Sequence, residues 1–498
     1  MQSSAMRWLW RLTVLWGTAI FWLAPHPPMI DLPQHAGQIA LMRDMLLDQS
    51  PWSDLFRINL FTPYLLGYGL ALPLSLVMPV VAALKVLLTL AYFAFVLACV
   101  QLRRHFDADP RLDWLVLPGF FGFAYHWGFF TFLLAAPIGL WFVFLAEHFS
   151  QKPTPRLAVG LTVLGLLLLA SHGLVFLFAV AVGGLTLLLR LREISSRALA
   201  LTPYVVLALA CMAYFLINRQ INVGMQTDLS AVTSWNGGLM RIPKSIIYTL
   251  TAEFSGKAVA LWGAAMLGLL ATPWLLGQRP QSRRRQAAWM PLAVLVGIFT
   301  LAPSNAAGTV FLYQRFALFL LPAYSWIFGG AESARRHIWA MPFLVALCWA
   351  VLGVHSLDTW RFGQESADFQ HAIDTLPPGQ RALMLVFDPD SPAAGTRVYT
   401  HYAAWYQAEK QGLVDFNFAW FPPQIVRYRP DRLPGIQPGF EWHPERFDWV
   451  KNKGSDYRYF IARSKHPLPE RLFDGADCPP QLMLTSGEWQ VFEYRGCP

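Results

Sequence analysis

Several stretches of this chain are apolar for as long as a bilayer is thick, and short basic segments separate them. Residues 80–100, "VVAALKVLLTLAYFAFVLACV", carry one charge, Lys85, and run straight into "QLRRHF". A helix needs roughly 20 apolar residues to cross the hydrocarbon core, and water would not tolerate such a run on a surface. Charged residues are 14% of the chain and hydrophobic residues 55%, whereas a soluble domain carries roughly a quarter charged residues. The chain therefore reads as an α-helical polytopic membrane protein. Its candidate spans are 8–24, 82–102, 112–130, 132–149, 156–171, 173–190, 198–217, 258–277, 287–303, 316–331 and 338–356, about eleven in all.

The net charge of +9 does not indicate nucleic acid, because the basic residues sit in short loops, where they set orientation. Arg7 and Arg11 place the N-terminus in the cytoplasm, and the first run reads as an uncleaved anchor, since "APHPPM" is a poor cleavage site. The loops 101–111, 151–156, 190–197, 278–286 and 332–337 are then cytoplasmic as well. The segment 61–81 is apolar enough to span, but Pro63, Pro73 and Pro79 make it a poor continuous helix. It reads as an interfacial or re-entrant element, because counting it as a span would invert every later loop.

This orientation sends outward the first loop 25–60, the turns at His126 and His172, the loop 218–257, the turn around 304–315 and everything after His355. The expected division is a transmembrane domain over 1–356 and an extracytoplasmic α/β domain over 357–498. In the latter, "ESADFQHAIDTLPPGQ" predicts an amphipathic helix and "RALMLVFD" a buried strand. "HYAAWYQAEKQG" predicts a short helix ending at Gly412, and "YRYFIAR" and "WQVFEYR" predict strands. Cys478 and Cys497 flank the last of these. In an oxidising compartment they close a disulfide; otherwise they are two free thiols.

Ionisable residues avoid the centres of the spans and gather at one interface. A proton- or ion-coupled transporter places such groups near the midplane, so this pattern favours chemistry on a lipid headgroup. "DLPQH" at 31–35 stands just past the first span. Asp31 precedes a leucine–proline pair and His35 begins a helix whose apolar side is Ala40, Leu41, Met45 and Leu46, expected to lie along the interface. Asp31 is either a general base or an N-cap or solvated charge. Arg315, behind Tyr313 and Gln314, suits a phosphate or snorkels. Lys85, His172 and His126 are further substrate-binding candidates, each with a structural alternative: snorkelling, a satisfied turn histidine, an aromatic belt. The loop 218–257 carries Asp228, Arg241, Lys244 and Glu253, and either holds an acceptor or forms a flap. The chain shows no phosphate-binding glycine loop and no zinc spacing.

In layout the whole chain resembles the GT-C superfamily of membrane glycosyltransferases. The residues that carry the resemblance are "DLPQH", "FTPYLLGY" after the first loop, "SHG" at 171–173 and "LYQRFALFLLP" at 312–322. The resemblance implies a polyprenyl-phosphate- or diphosphate-linked sugar donor. It implies transfer with inversion to a glycan, lipid or protein acceptor on the outer side of the membrane, which the style of the sequence makes the periplasmic face of a bacterial inner membrane. It also implies Asp31 as catalytic base with His35 beside it. Many members pair that aspartate with a second acid; here Leu32 follows, which weakens any transfer of metal binding, so a divalent metal stays open without the support of a paired acidic motif. The alternatives from other classes are a flippase for a lipid-linked glycan and a non-catalytic assembly subunit of the same fold.

Overall fold

The computed structural model describes residues 4–221, 233–252, 256–280, 283–306, 308–329 and 337–497. They are mostly helical, with a small sheet towards the C-terminus, and fall into two compact units. One contains the described residues of Met1–Trp22, Leu87–Ile221 and Ser230–Leu357; the other contains those of Leu23–Val86 and Asp358–Pro498.

Among the described residues, six helices are long and apolar enough to cross a membrane: Val80–His105, Phe130–Gln151, Gly173–Arg190, Arg197–Ile221, Ala258–Leu275 and the helical stretch from Ala340. Arg197–Ile221 buries only Ala200, Pro203 and Leu207, while Val205, Leu209, Met212, Phe215 and Leu216 are more than half exposed. A continuous apolar face of this kind would drive association in water and is at home in lipid. Phe130–Gln151 and Gly173–Arg190 pack through small residues. A Cβ on Gly139 would come within 2.6 Å of Val175, and one on Gly183 within 2.9 Å of Ala146, the close backbone approach that membrane helices use in place of a hydrophobic drive.

The five other candidate spans are shorter or broken. Residues 8–24 form Ser4–Ala19 and a 3₁₀ turn, 156–171 form Pro155–Leu169, and 287–303 form Met290–Leu301. Residues 316–331 form a 3₁₀ turn running into Leu320–Trp326. Residues 112–130 divide into 3₁₀ and single helical turns, Pro110–Leu115, Val116–Gly119 and Phe123–His126. The break has a cause: a Cβ at Gly122 would strike the carbonyl oxygens of Tyr248 and Thr249, in the turn that follows Arg241–Ile247, and the Tyr248 carbonyl takes the Phe123 N–H at 2.8 Å. Within 61–81 the helix Leu65–Ser75 is 11 residues long and contains Pro73, too short to cross a bilayer.

The second unit joins the first loop to the C-terminal part. Its sheet runs Leu413–Val414, Arg381–Val386, Tyr459–Arg463, Trp489–Glu493, Gln481–Ser486. The first two pairings are parallel and the last two antiparallel. Cys478 and Cys497 are joined, with Cα atoms 5.4 Å apart. The helix Ala404–Lys410 ends one residue earlier than expected: Gln411 takes the left-handed turn at φ 53°, and Gly412 lies flat under the Tyr406 ring. Phe56–Ile58 pairs antiparallel with Val426–Tyr428, so a piece of the first loop shares a ribbon with a segment far along the chain.

That arrangement corrects the reading of the helix at "DLPQH". Leu32–Leu46 is not an interfacial amphipath. Every residue from Leu32 to Met42 is buried, whereas Leu46 is exposed and Met45 half-buried. It packs against Ala404–Lys410, where a Cβ on Gly37 would press on Gln407 at 3.0 Å. Gln34 accepts the Phe418 N–H at 3.0 Å and Gln38 accepts the Val426 N–H at 2.9 Å, so two of its polar side chains take donors from later backbone.

Candidate acid–base site

The segment "HPPMIDLPQH" contributes three buried ionisable side chains to the second unit, and each meets a partner from elsewhere in the chain. His26 donates from Nε2 to Glu409 Oε1 at 2.6 Å, and its ring lies on Trp405 with centroids 4.2 Å apart. His35 donates from Nδ1 to the Tyr68 hydroxyl at 2.7 Å, and that hydroxyl donates to Gln424 Oε1 at 2.5 Å. Asp31 stands at the N-cap position of Leu32–Leu46, yet its side chain does not cap the helix. Its Oδ1 accepts from His401 Nδ1 at 3.0 Å.

The chemistry of this last pair follows from the inventory of donors. A carboxylate only accepts, so Nδ1 of His401 carries the proton and Nε2 of the neutral ring presents a lone pair. That Nε2 is buried and has no hydrogen-bond partner among the described residues. His401 is 4% exposed and Asp31 8%, and the His401 ring packs on Phe416 and Phe418 at 5.6 and 5.8 Å. Phe418 also packs on His35 at 5.4 Å. Glu441 lies near His401. Burial pushes the Glu441 carboxyl above the ordinary range while His401 acts in the opposite direction.

The other buried acids of this unit are bound differently. Asp415 is fully buried but takes both Arg381 nitrogens, at 2.8 and 2.7 Å, and the Tyr457 hydroxyl at 2.5 Å. Asp44 takes Arg43 at 2.8 Å and Gln411 at 3.2 Å. These are structural ion pairs with their lone pairs committed. Among the described residues, the Asp31 carboxylate has the His401 ring as its hydrogen-bond partner, the arrangement that fixes a histidine's tautomer and orientation.

The remaining candidates are distributed as follows. Lys85, in the second unit, donates to the Ala24 carbonyl at 2.6 Å. Arg315 belongs to the first unit. It is buried, donates to the Val310 and Phe311 carbonyls at 2.7 and 3.1 Å, and lies 3.8 Å over the Phe129 ring, so its guanidinium braces the preceding turn. Tyr313 receives Arg241 on its ring face at 4.1 Å, and Gln314 is buried beside it in the chain. His172 caps Gly173–Arg190, accepting the Leu174 N–H at 3.2 Å: here the turn-histidine alternative describes what is seen. His126 packs against His355 with centroids 5.4 Å apart. Lys244 falls in the short helix Arg241–Ile247, while Asp228 and Glu253 lie outside the described residues.

Sequence reasoning missed His401, Tyr68, Gln424, His26 and Glu409. Their only local signal was polarity inside aromatic context, "THYAAWY" for His401, which a buried structural histidine shares. No protein-family model matches this chain, and searches of curated proteins and of solved structures likewise find no match.

Proposed function

We propose that this chain is a membrane glycosyltransferase of the GT-C kind, which moves a sugar from a polyprenyl-phosphate or -diphosphate donor to an acceptor hydroxyl, with inversion, at the outer face of a bacterial inner membrane. The observation that carries the reading is the buried Asp31–His401 pair. Asp31 holds the Nδ1–H of the imidazole, which leaves the unpartnered Nε2 as the atom that can take a proton. In the proposed step the acceptor oxygen attacks the anomeric carbon as its proton passes to His401 Nε2. The bond from that carbon to the phosphate oxygen breaks, and the prenyl phosphate leaves with the electron pair. Asp31 then serves as the positioning residue and stabilises the imidazolium formed, a contribution of roughly a hundredfold to ten-thousandfold. This moves the base from Asp31, the residue that the family resemblance suggests, to its partner. Lys85 and Arg315, which donate to backbone carbonyls, and His172, a helix cap, hold no role in the step, and none is assigned to His126, Tyr313 or Gln314.

The test uses the full chain in nanodiscs with a panel of labelled short-chain prenyl-phosphate hexoses and pentoses and an extract of envelope acceptors. Wild type should release prenyl phosphate and pass label to an acceptor with at least one donor. His401→Gln should lose this by a hundredfold or more, and His466→Ala, an exposed histidine, should not. Full transfer by His401→Gln overturns the assignment.

A further inference from the structure

A second cluster of ligand-type side chains lies in the other unit, far from Asp31 in sequence. His105, Glu147 and His148 bring one ring nitrogen each and a carboxylate oxygen within 4.8 Å of one another. We propose that these three hold one divalent transition-metal ion of the zinc class, bound through His105 Nε2, Glu147 Oε2 and His148 Nε2.

Four observations support this. The first is tautomer: His148 donates from Nδ1 to the Phe144 carbonyl of its own helix at 2.9 Å. That bond fixes the proton on Nδ1 and turns the Nε2 lone pair outward, as the second bond of a metal-bound histidine normally does. The second is position. His105 Nε2 donates to Glu147 Oε2, a contact that a bound ion would replace as the Nε2 proton leaves, and the His105 and His148 rings lie 4.4 Å apart. Ligands about 2.0–2.1 Å from a tetrahedral ion stand roughly 3.3 Å from one another, so side-chain rotations of about 1 Å gather the set. The third is orientation of the carboxylate: Arg190 grips Glu147 Oε1 at 2.8 Å and Gln151 donates to Oε2 at 2.6 Å. The fourth is the field. His105, Glu147–His148 and Arg190 occupy the last turns of Val80–His105, Phe130–Gln151 and Gly173–Arg190. Three helix C-termini converge there, and each presents the negative end of its dipole, which favours a cation. Two imidazoles and one carboxylate suit zinc, cobalt or iron rather than magnesium or calcium, which prefer oxygen, and three protein ligands leave a coordination position for an outside group. The site is independent of the transfer reading above and stands or falls apart from it.

The test needs no substrate. The full chain, purified in detergent and stripped with a chelator, is titrated with Zn²⁺ and separately with Co²⁺, read by elemental analysis and by the visible d–d bands of bound cobalt. Wild type and His466→Ala should each take up one equivalent and show the same bands. His148→Gln and His105→Gln, which remove a ligand from different helices, should each weaken uptake by roughly a hundredfold or more while eluting as monodisperse chains. If one variant fails to elute so, the other is read by the same criterion. Wild type that takes up no metal overturns the site, as does a monodisperse ligand variant that binds as wild type does.

Discussion

Replacing Asp31 with asparagine separates the chemistry of the Asp31–His401 pair from its contribution to folding. The amide oxygen can still accept the His401 Nδ1–H where the carboxylate now does, at 3.0 Å, so the geometry survives. A hydrogen bond to a charged partner contributes about 1.5–3 kcal/mol and one between neutral groups about 1 kcal/mol. The folded state should therefore lose roughly 1–1.5 kcal/mol, a shift of a few degrees in melting temperature for a unit of this size. A chain with about 5 kcal/mol or more in reserve stays almost wholly folded after such a loss. The chemical penalty is larger: a hundredfold to ten-thousandfold in rate is about 2.7–5.4 kcal/mol of barrier, because the neutral amide cannot stabilise an imidazolium. Transfer and melting temperature are measured side by side for Asp31→Asn, His401→Gln and the double variant. If the two residues act as one unit, the double variant should be about as slow as the worse single one. Multiplying single effects, or a rate in Asp31→Asn that falls only as far as its folded fraction, would refute the dyad.

Other outcomes follow from the same structure. Arg315→Ala should cost about 2–3 kcal/mol of thermal stability, read by melting in detergent, since two carbonyl bonds and a ring contact go with it; Arg315→Lys should restore little, lacking the planar fork. Reducing the Cys478–Cys497 bridge, which closes a separation of 19 residues, should destabilise the second unit by about 3 kcal/mol. The Glu441 carboxyl is held above its ordinary range by burial. A raised folded-state pKa favours folding at low pH and loses that advantage as pH rises through it. Glu441→Gln should therefore raise the melting temperature over wild type near about pH 8 and give no gain below about pH 4; the reverse order would contradict the buried placement. Cysteines introduced at exposed Arg192 and Val450 test orientation: an impermeant thiol reagent on intact spheroplasts should label position 450 and leave position 192 untouched.

Long apolar runs and their basic flanks were enough to read a membrane protein from the chain alone, because a bilayer demands about 20 such residues whatever surrounds them. Six of the candidate spans do form helices of that length. The strands at "RALMLVFD", "YRYFIAR" and "WQVFEYR" were legible for the same kind of reason, since local pattern and propensity agree there. What local pattern could not carry was partnership. "DLPQH" looked like an interfacial helix start because nothing within dozens of residues covers it. Tertiary packing brings Ala404–Lys410 and the strand Val426–Tyr428 to that helix, buries it whole, and places His401, 370 residues away, on Asp31. The break at 112–130 has a similar origin, since Gly122 makes room for the backbone at Tyr248 and Thr249. The His105–Glu147 contact joins two helix ends 42 residues apart, a distance at which no spacing motif could reveal it. Periodicity reports which face a segment turns to apolar surroundings. Only the folded chain decides which side chain waits there, and a buried acid's setting depends on that partner: arginine makes Asp415 an ion pair, whereas histidine gives Asp31 the partner on which the proposed acid–base role rests.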